Sequence, residues 1–190
     1  MGIEYTNRKR QTYYLHDGKT RSGKPRCFFS LKTPGKPVTK IPRGFEIYEN
    51  PDGLVFLRRI EAQVITDAEL ATVRSLLAKL AATQSSTTDR KGKYIMIYAA
   101  EDLLDPQLGS QKSVDAPAGE STRDSNQHHL QYTPMFRLTL DDATRREFLI
   151  ERWCFRRSVN GWYRLGGGKL QPLLRTYLPH LGDDSFFEMM

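Results

Sequence analysis

The chain has 190 residues, a net charge of +7, 38% hydrophobic and 11% aromatic residues, and two cysteines. That length suits one domain or two small ones and permits a core without metal or disulfide staples, and the aromatic content excludes a wholly disordered chain. No run approaches the ~18 apolar residues of a membrane-spanning helix, and the polar, basic start from Met1 to Arg10 lacks the apolar segment of a secretion signal, so a soluble, cytoplasmic protein with no membrane partner is expected.

Charge is unevenly spread. Residues 1–43 hold eleven Lys/Arg against Glu4 and Asp17, a net +9, whereas the other 147 residues hold 18 against 20 acids. A localised excess marks a surface for phosphates or an acidic partner more than a general device for solubility.

In chain order, Gln11 to Asp17 reads as a strand with Tyr13 and Leu15 on one face and Tyr14 and His16 on the other. Gly18 to Lys24 is a basic turn with a mobile tip, and Pro25 to Leu31 is the returning strand of a hairpin. Pro34, Pro37 and Pro42 make residues 32–44 an extended connector. Phe45 to Glu49 and Leu54 to Ile60 form a second hairpin around Asn50-Pro51-Asp52-Gly53. Thr66 to Thr83 is a helix, started by a Thr66/Glu69 capping box and carrying Leu70, Val73, Leu77 and Leu80 on one stripe.

Gln84 to Lys93 reads as a polar loop and Tyr94 to Ala99 as a central strand. Residues 105–133 are polar, without periodicity, and too long for an ordinary connection. Met135 to Leu140, Glu147 to Arg156 and Trp162 to Leu165 form a β-meander, with turns at Asp141-Asp142 and at Asn160-Gly161. Gly166 to Gly168 break the sheet, and Leu170 to Leu181 is a short helix with Pro172 near its start and Pro179 at its end. Phe186 and Phe187 are too large to leave free, so the C-terminus docks.

The first candidate site is the basic hairpin. Arg8, Lys9 and Arg10 lead into it, Lys19, Arg21, Lys24 and Arg26 decorate its turn, and Tyr13, Tyr14, Phe28 and Phe29 lie on its strands. Cations for phosphates and flat rings for unstacked bases are what a nucleic acid asks of a protein. The bland alternative puts the rings in a core and leaves the cations to keep an edge hairpin soluble. A second cationic patch is expected on the meander from Arg152, Arg156 and Arg164, with Trp153 and Phe155 turned inward.

Other chemistry is thinner. Pro51-Asp52 resembles the start of a Pro-Asp…Glu-x-Lys nuclease motif, but no Glu-x-Lys triplet follows at a useful distance; Asp141, Asp142, Glu147 and Glu151 are surrounded by arginines that favour ion pairs. His16, His128, His129 and His180 lack the spacing of zinc ligands, so no metal is expected. Cys27 and Cys154 read as reduced, partly buried thiols; Cys154 with a distant histidine as a nucleophilic pair is selected by nothing in the sequence. Gly166-Gly167-Gly168-Lys169 departs from a Walker-type loop because Leu170 follows the lysine, so no cofactor is expected.

The fold class expected is α+β, with antiparallel β-hairpins and a β-meander packed against one long and one short helix. Residues 1–104 are expected to form a basic hairpin plus an α/β subdomain, 105–133 a flexible linker or insertion, and 134–190 a meander with a C-terminal helix. The function expected is a non-enzymatic nucleic-acid-binding module, for DNA or RNA, that uses the N-terminal hairpin. The alternative is a protein-interaction or scaffold subunit that binds an acidic protein partner, and a metal-dependent nuclease comes third. Oligomeric state is not legible.

Overall fold

The computed structural model describes residues 2–33, 36, 38–80, 86–100, 131–156 and 159–189. Among them the chain is α+β, with antiparallel sheets and short helices, and it divides into two compact units, residues 1–61 and 62–190.

The first unit holds five strands: β1 (Glu4–Thr6), β2 (Thr12–Lys19), β3 (Pro25–Ser30), β4 (Phe45–Glu49) and β5 (Val55–Arg59). They form a three-stranded sheet ordered β1-β2-β3 and a β4-β5 ribbon, all antiparallel. The period of two sends Tyr13, Leu15 and Phe29 inward, where they join Val55 in a core completed by Tyr5, Ile47 and Leu57. The buried Asn7 fastens the sheet to the ribbon: its side-chain amide donates to the Gly53 carbonyl at 2.6 Å and its Oδ1 accepts the Gln11 N–H at 2.8 Å. Strand β1 has only three residues, too short to show a period, and it is fixed by its register, Tyr5 opposite Tyr13.

The second unit is a five-stranded meander built from β6 (Ser86–Lys91), β7 (Tyr94–Ala100), β8 (Tyr132–Asp142), β9 (Glu147–Arg156) and β10 (Val159–Lys169), in the order β10-β9-β8-β7-β6. Helices α1 (Asp67–Ala78) and α2 (Leu170–Tyr177), a 3₁₀ turn at Leu178–His180 and the short α3 (Ser185–Glu188) accompany it. Ile95, Ile97, Phe136, Leu138, Phe148 and Ile150 on the inner face pack with Leu70, Val73 and Leu77 of α1, Leu173 and Leu174 of α2, and Phe186 of α3. Fully burying each such side chain stabilises the fold by about 1.5–3 kcal/mol. The Thr66/Glu69 capping box is present, and of the two C-terminal rings Phe186 docks fully buried, whereas Phe187 is half exposed.

Three local readings of the sequence are overturned in this unit. Residues 86–91, expected within a loop, form the edge strand β6; its inward Arg90 and Thr88 are polar because they bond α1 and its approach, Arg90 to Asp67 and the Ile65 carbonyl and Thr88 to Arg74. Gly166 to Gly168 do not break the sheet but continue β10 opposite Ile150, Leu149 and Phe148, past a bulge after Arg164. Asn160-Gly161 is not the hairpin turn. Those residues pair with Phe155 and Cys154, and Arg156 faces Val159; residues 157–158 lie outside the described residues. Residues 101–130 are also outside them, and the strands on either side, β7 and β8, pair with each other.

Candidate functional site

On the β2-β3 hairpin the rings divide by face. Tyr13 and Phe29 are 7% and 9% exposed and belong to the core, whereas Phe28 is 38% exposed on the outer face with Tyr14 and His16. His16 and Phe28 are cross-strand partners, stacked with centroids 5.3 Å apart and planes inclined by 13°. Arg26 continues the stack, its guanidinium carbon 5.8 Å from the Phe28 centroid. His16 Nε2 donates to the Lys32 carbonyl at 2.7 Å, which fixes the imidazole plane. A guanidinium, a phenyl and an imidazole thus form one ladder along the outer face.

The ladder leads to the hairpin tip, where Lys19, Arg21, Lys24 and Arg26 are all exposed. Among the described residues none of these four has an ion pair. The tip is closed by its own bonds: Thr20 N–H to the Lys24 carbonyl and Gly23 N–H to the Thr20 carbonyl, both at 2.8 Å, and Lys24 N–H to Thr20 Oγ1 at 3.1 Å. Gly23 adopts φ 80°, a region that favours glycine.

Arg8, Lys9 and Arg10 do not join this surface. They precede β2 at its other end, about 23 Å from the tip at ~3.3 Å per residue. Arg8 donates through Nε to Glu49 at 2.7 Å and through its backbone N–H to the same oxygen at 3.1 Å. The Lys9 stem lies where a side chain on Gly53 would be, 3.2 Å from that position. Arg10, at φ 58°, closes the turn between β1 and β2 by donating its N–H to the Asn7 carbonyl at 2.9 Å. Burial pushes the Glu49 carboxyl up, but the two Arg8 donors and the Tyr5 hydroxyl outweigh it and hold its pKa below the ordinary value. Burial, with the bond to Glu49, pushes the Tyr5 phenol up.

The second cationic patch does not assemble, because the parity of β9 is the reverse of the one expected. Arg152 points inward and is 5% exposed; its Nε donates to the Met189 carbonyl at 2.7 Å, and the Phe187 carbonyl is 3.4 Å from its Nη2. Arg164 is exposed on the opposite face, across from Glu151. The Arg156 side chain lies outside the description. An arginine is tolerated inside because the C-terminal segment offers it carbonyl acceptors and the Phe186 ring at 5.9 Å.

Compared with family models, curated proteins and solved structures, the chain matches none.

The same parity turns Trp153 outward, and with it appears a feature the sequence reading missed. On the outer face Trp153 and Trp162 are cross-strand partners in edge-to-face contact, 5.2 Å between centroids. The Arg137 guanidinium carbon lies 4.6 Å from the Trp162 centroid and 5.7 Å from that of Tyr94, and Lys93 Nζ is 5.5 Å from the Tyr94 centroid. Arg137 also clasps both oxygens of Glu151, at 2.6 and 2.8 Å. The available sequence signal was the alternation Tyr94-Met96-Tyr98, with rings on the face opposite Ile95 and Ile97.

The remaining candidates resolve into structural roles. Among the described residues no three His, Cys, Asp or Glu side chains are grouped to hold a metal. Asp52 lies in the β4-β5 turn, within 3.4 Å of the Asn50 amide, and Asp142 Oδ1 accepts the Thr144 and Arg145 N–H groups. Glu151 is occupied by Arg137, and Glu147 stands 4.0 Å from Lys169. His180 Nδ1 and the Ser185 hydroxyl are 2.8 Å apart beside α3; His128 and His129 lie outside the described residues. Cys27 and Cys154 are free, partly buried thiols. Lys169 caps α2 from the end of β10 and donates to the Arg145 carbonyl. No helix among the described residues is long and apolar enough to cross a membrane.

Proposed function

We propose that this protein is a non-enzymatic nucleic-acid-binding module whose contact surface is the tip and outer face of the β2-β3 hairpin. One observation carries the reading: four exposed cations free of ion pairs among the described residues surround an outward stack of Arg26, Phe28 and His16. Phosphates attract the cations without regard to sequence, and the rings offer a platform for bases. An acidic protein would satisfy the cations but would leave the outward Phe28 without a purpose, so the ladder favours nucleic acid. Relative to the sequence-derived site, the surface loses Arg8, Lys9 and Arg10, keeps Phe28 and gains His16. A cytoplasmic location goes with this reading.

The test is fluorescence anisotropy of the whole chain with single-stranded DNA, duplex DNA and RNA oligomers over a range of salt. Binding should weaken with salt, and replacing Lys19, Arg21, Lys24 and Arg26 together by Gln should reduce the log–log slope by up to about three units on single strands. No binding at low salt, or a slope unchanged by the four substitutions, refutes the assignment.

A further inference from the structure

Antiparallel sheets with one covered face ordinarily turn polar residues to the other. In the second unit α1, α2 and α3 all pack on the face of Ile95, Phe136 and Ile150. The opposite face nevertheless carries Tyr94, Trp153 and Trp162, each half-buried, in a continuous alternation of cations and rings running Lys93, Tyr94, Arg137, Trp162, Trp153. Register places this chain across β7, β8, β10 and β9, roughly 14 Å wide at ~4.8 Å per strand. Arg137 is neutralised by Glu151, so its role is to hold the rings in place. Lys91, Lys93 and Arg164 are exposed at the margins and, among the described residues, free of ion pairs.

We propose that this face binds single-stranded nucleic acid by stacking unpaired bases on Trp162, Trp153 and Tyr94, with Lys91, Lys93 and Arg164 meeting the phosphates. Flat rings held by cations on a sheet suit bases that have left a helix; duplex bases are already stacked on each other and present only edges. The marginal cations match the charge of a strand and disfavour a basic partner. The inference deepens the nucleic-acid reading, but it stands on different residues in a different unit, so either can fail alone.

The chain contains two tryptophans, and both lie on this face. Intrinsic tryptophan emission therefore reports on this surface, while the hairpin is silent in it. The full chain is titrated with a dT oligomer, a U oligomer, a DNA duplex of equal length and heparin, with emission and anisotropy read together. Single strands should quench the emission, and duplex and heparin should leave it nearly unchanged. Quenching should persist in the variant with Lys19, Arg21, Lys24 and Arg26 replaced by Gln. Tyr94→Ala, which leaves both tryptophans in place, should weaken single-strand binding at least about fivefold. Unchanged emission at saturating single strand overturns the proposal, whether or not anisotropy shows binding elsewhere. Equal quenching by heparin overturns it as well, because heparin has no bases. A flattened salt slope in the hairpin variant with silent tryptophans leaves the hairpin reading standing and removes this one; the converse result removes the hairpin.

Discussion

Arg152, in the middle of strand β9, donates its Nε to the carbonyl of Met189 at 2.7 Å, joining the inner face of the sheet to residues 37 positions away in sequence. The guanidinium is almost wholly buried, and its cost is met by carbonyl acceptors and by the rings of Phe186 and Tyr163 at 5.9 and 5.7 Å. It therefore acts as a clasp on the C-terminal segment. Arg152→Ala should destabilise the second unit by about 2–4 kcal/mol, since it removes the bonds to the Met189 and Phe187 carbonyls and opens a void where the buried side chain lay. Phe186→Ala should cost about 3–5 kcal/mol. The two residues touch, so the double variant should lose less than the sum of the two, a coupling measurable from urea unfolding midpoints.

That clasp also shows where sequence reasoning reached its limit. The class, the capping box at Thr66, the Asn50–Gly53 turn and the docked C-terminus were legible because each is written locally, in spacing or turn chemistry. The face of β9 was not. Arg152, Cys154 and Arg156 alternate with Trp153 and Phe155, and local rules send the rings inward. Distant residues at 187–189 reverse the choice by providing acceptors for Arg152. Strand β6 escaped for a related reason: its inward side chains bond a helix instead of entering a core. Likewise, proximity in sequence assigns the N-terminal arginines to the hairpin surface, but Glu49, 41 residues further on, binds Arg8.

Gly166 illustrates a glycine required by a close approach. A methyl group there would lie 2.9 Å from the Tyr177 hydroxyl, which donates to the Leu165 carbonyl at 3.0 Å. Gly166→Ala should push Tyr177 off that bond and destabilise the unit by about 1–2 kcal/mol. A methyl group on Gly161 meets nothing within 4 Å, so Gly161→Ala should leave the midpoint within about 0.5 kcal/mol. Thermal or urea melts of the pair provide the check.

Stability should fall on acidification. Burial pushes the Glu69 carboxyl up, but hydrogen bonds from Arg146 and from the Thr66 backbone and hydroxyl outweigh that and hold its pKa below the ordinary 4.5. Glu49 is lowered in the same sense by Arg8 and Tyr5. A carboxylate whose folded pKa is depressed contributes stability above its unfolded pKa and loses it as pH falls through the folded one. The urea midpoint should therefore hold steady from about pH 7 to 5 and decline below about 4.5. Glu69→Gln should lower the midpoint at neutral pH and flatten the decline in the second unit, and Glu49→Gln should do the same in the first. Thr66→Ala, which removes the hydroxyl half of the capping box, should cost about 1 kcal/mol with most of the pH dependence retained.

Arg8 separates binding from folding within the basic segment. Its guanidinium faces Glu49, whose side chain is only 13% exposed, and it also reaches the Asn50 carbonyl. An arginine already neutralised by a partly buried carboxylate has little counterion atmosphere to exchange with a phosphate backbone, whereas the tip cations have no such partner among the described residues. Arg8→Ala should accordingly destabilise the first unit by about 1 kcal/mol, as it leaves Glu49 with the Tyr5 hydroxyl but without its cation. It should leave the salt slope of nucleic-acid binding unchanged. Arg21→Ala should behave in the opposite way, with an unchanged melting midpoint and a slope smaller by nearly one unit. Parallel melts and salt titrations of the two variants check both halves. A slope reduced equally by Arg8→Ala would return the N-terminal arginines to the contact surface.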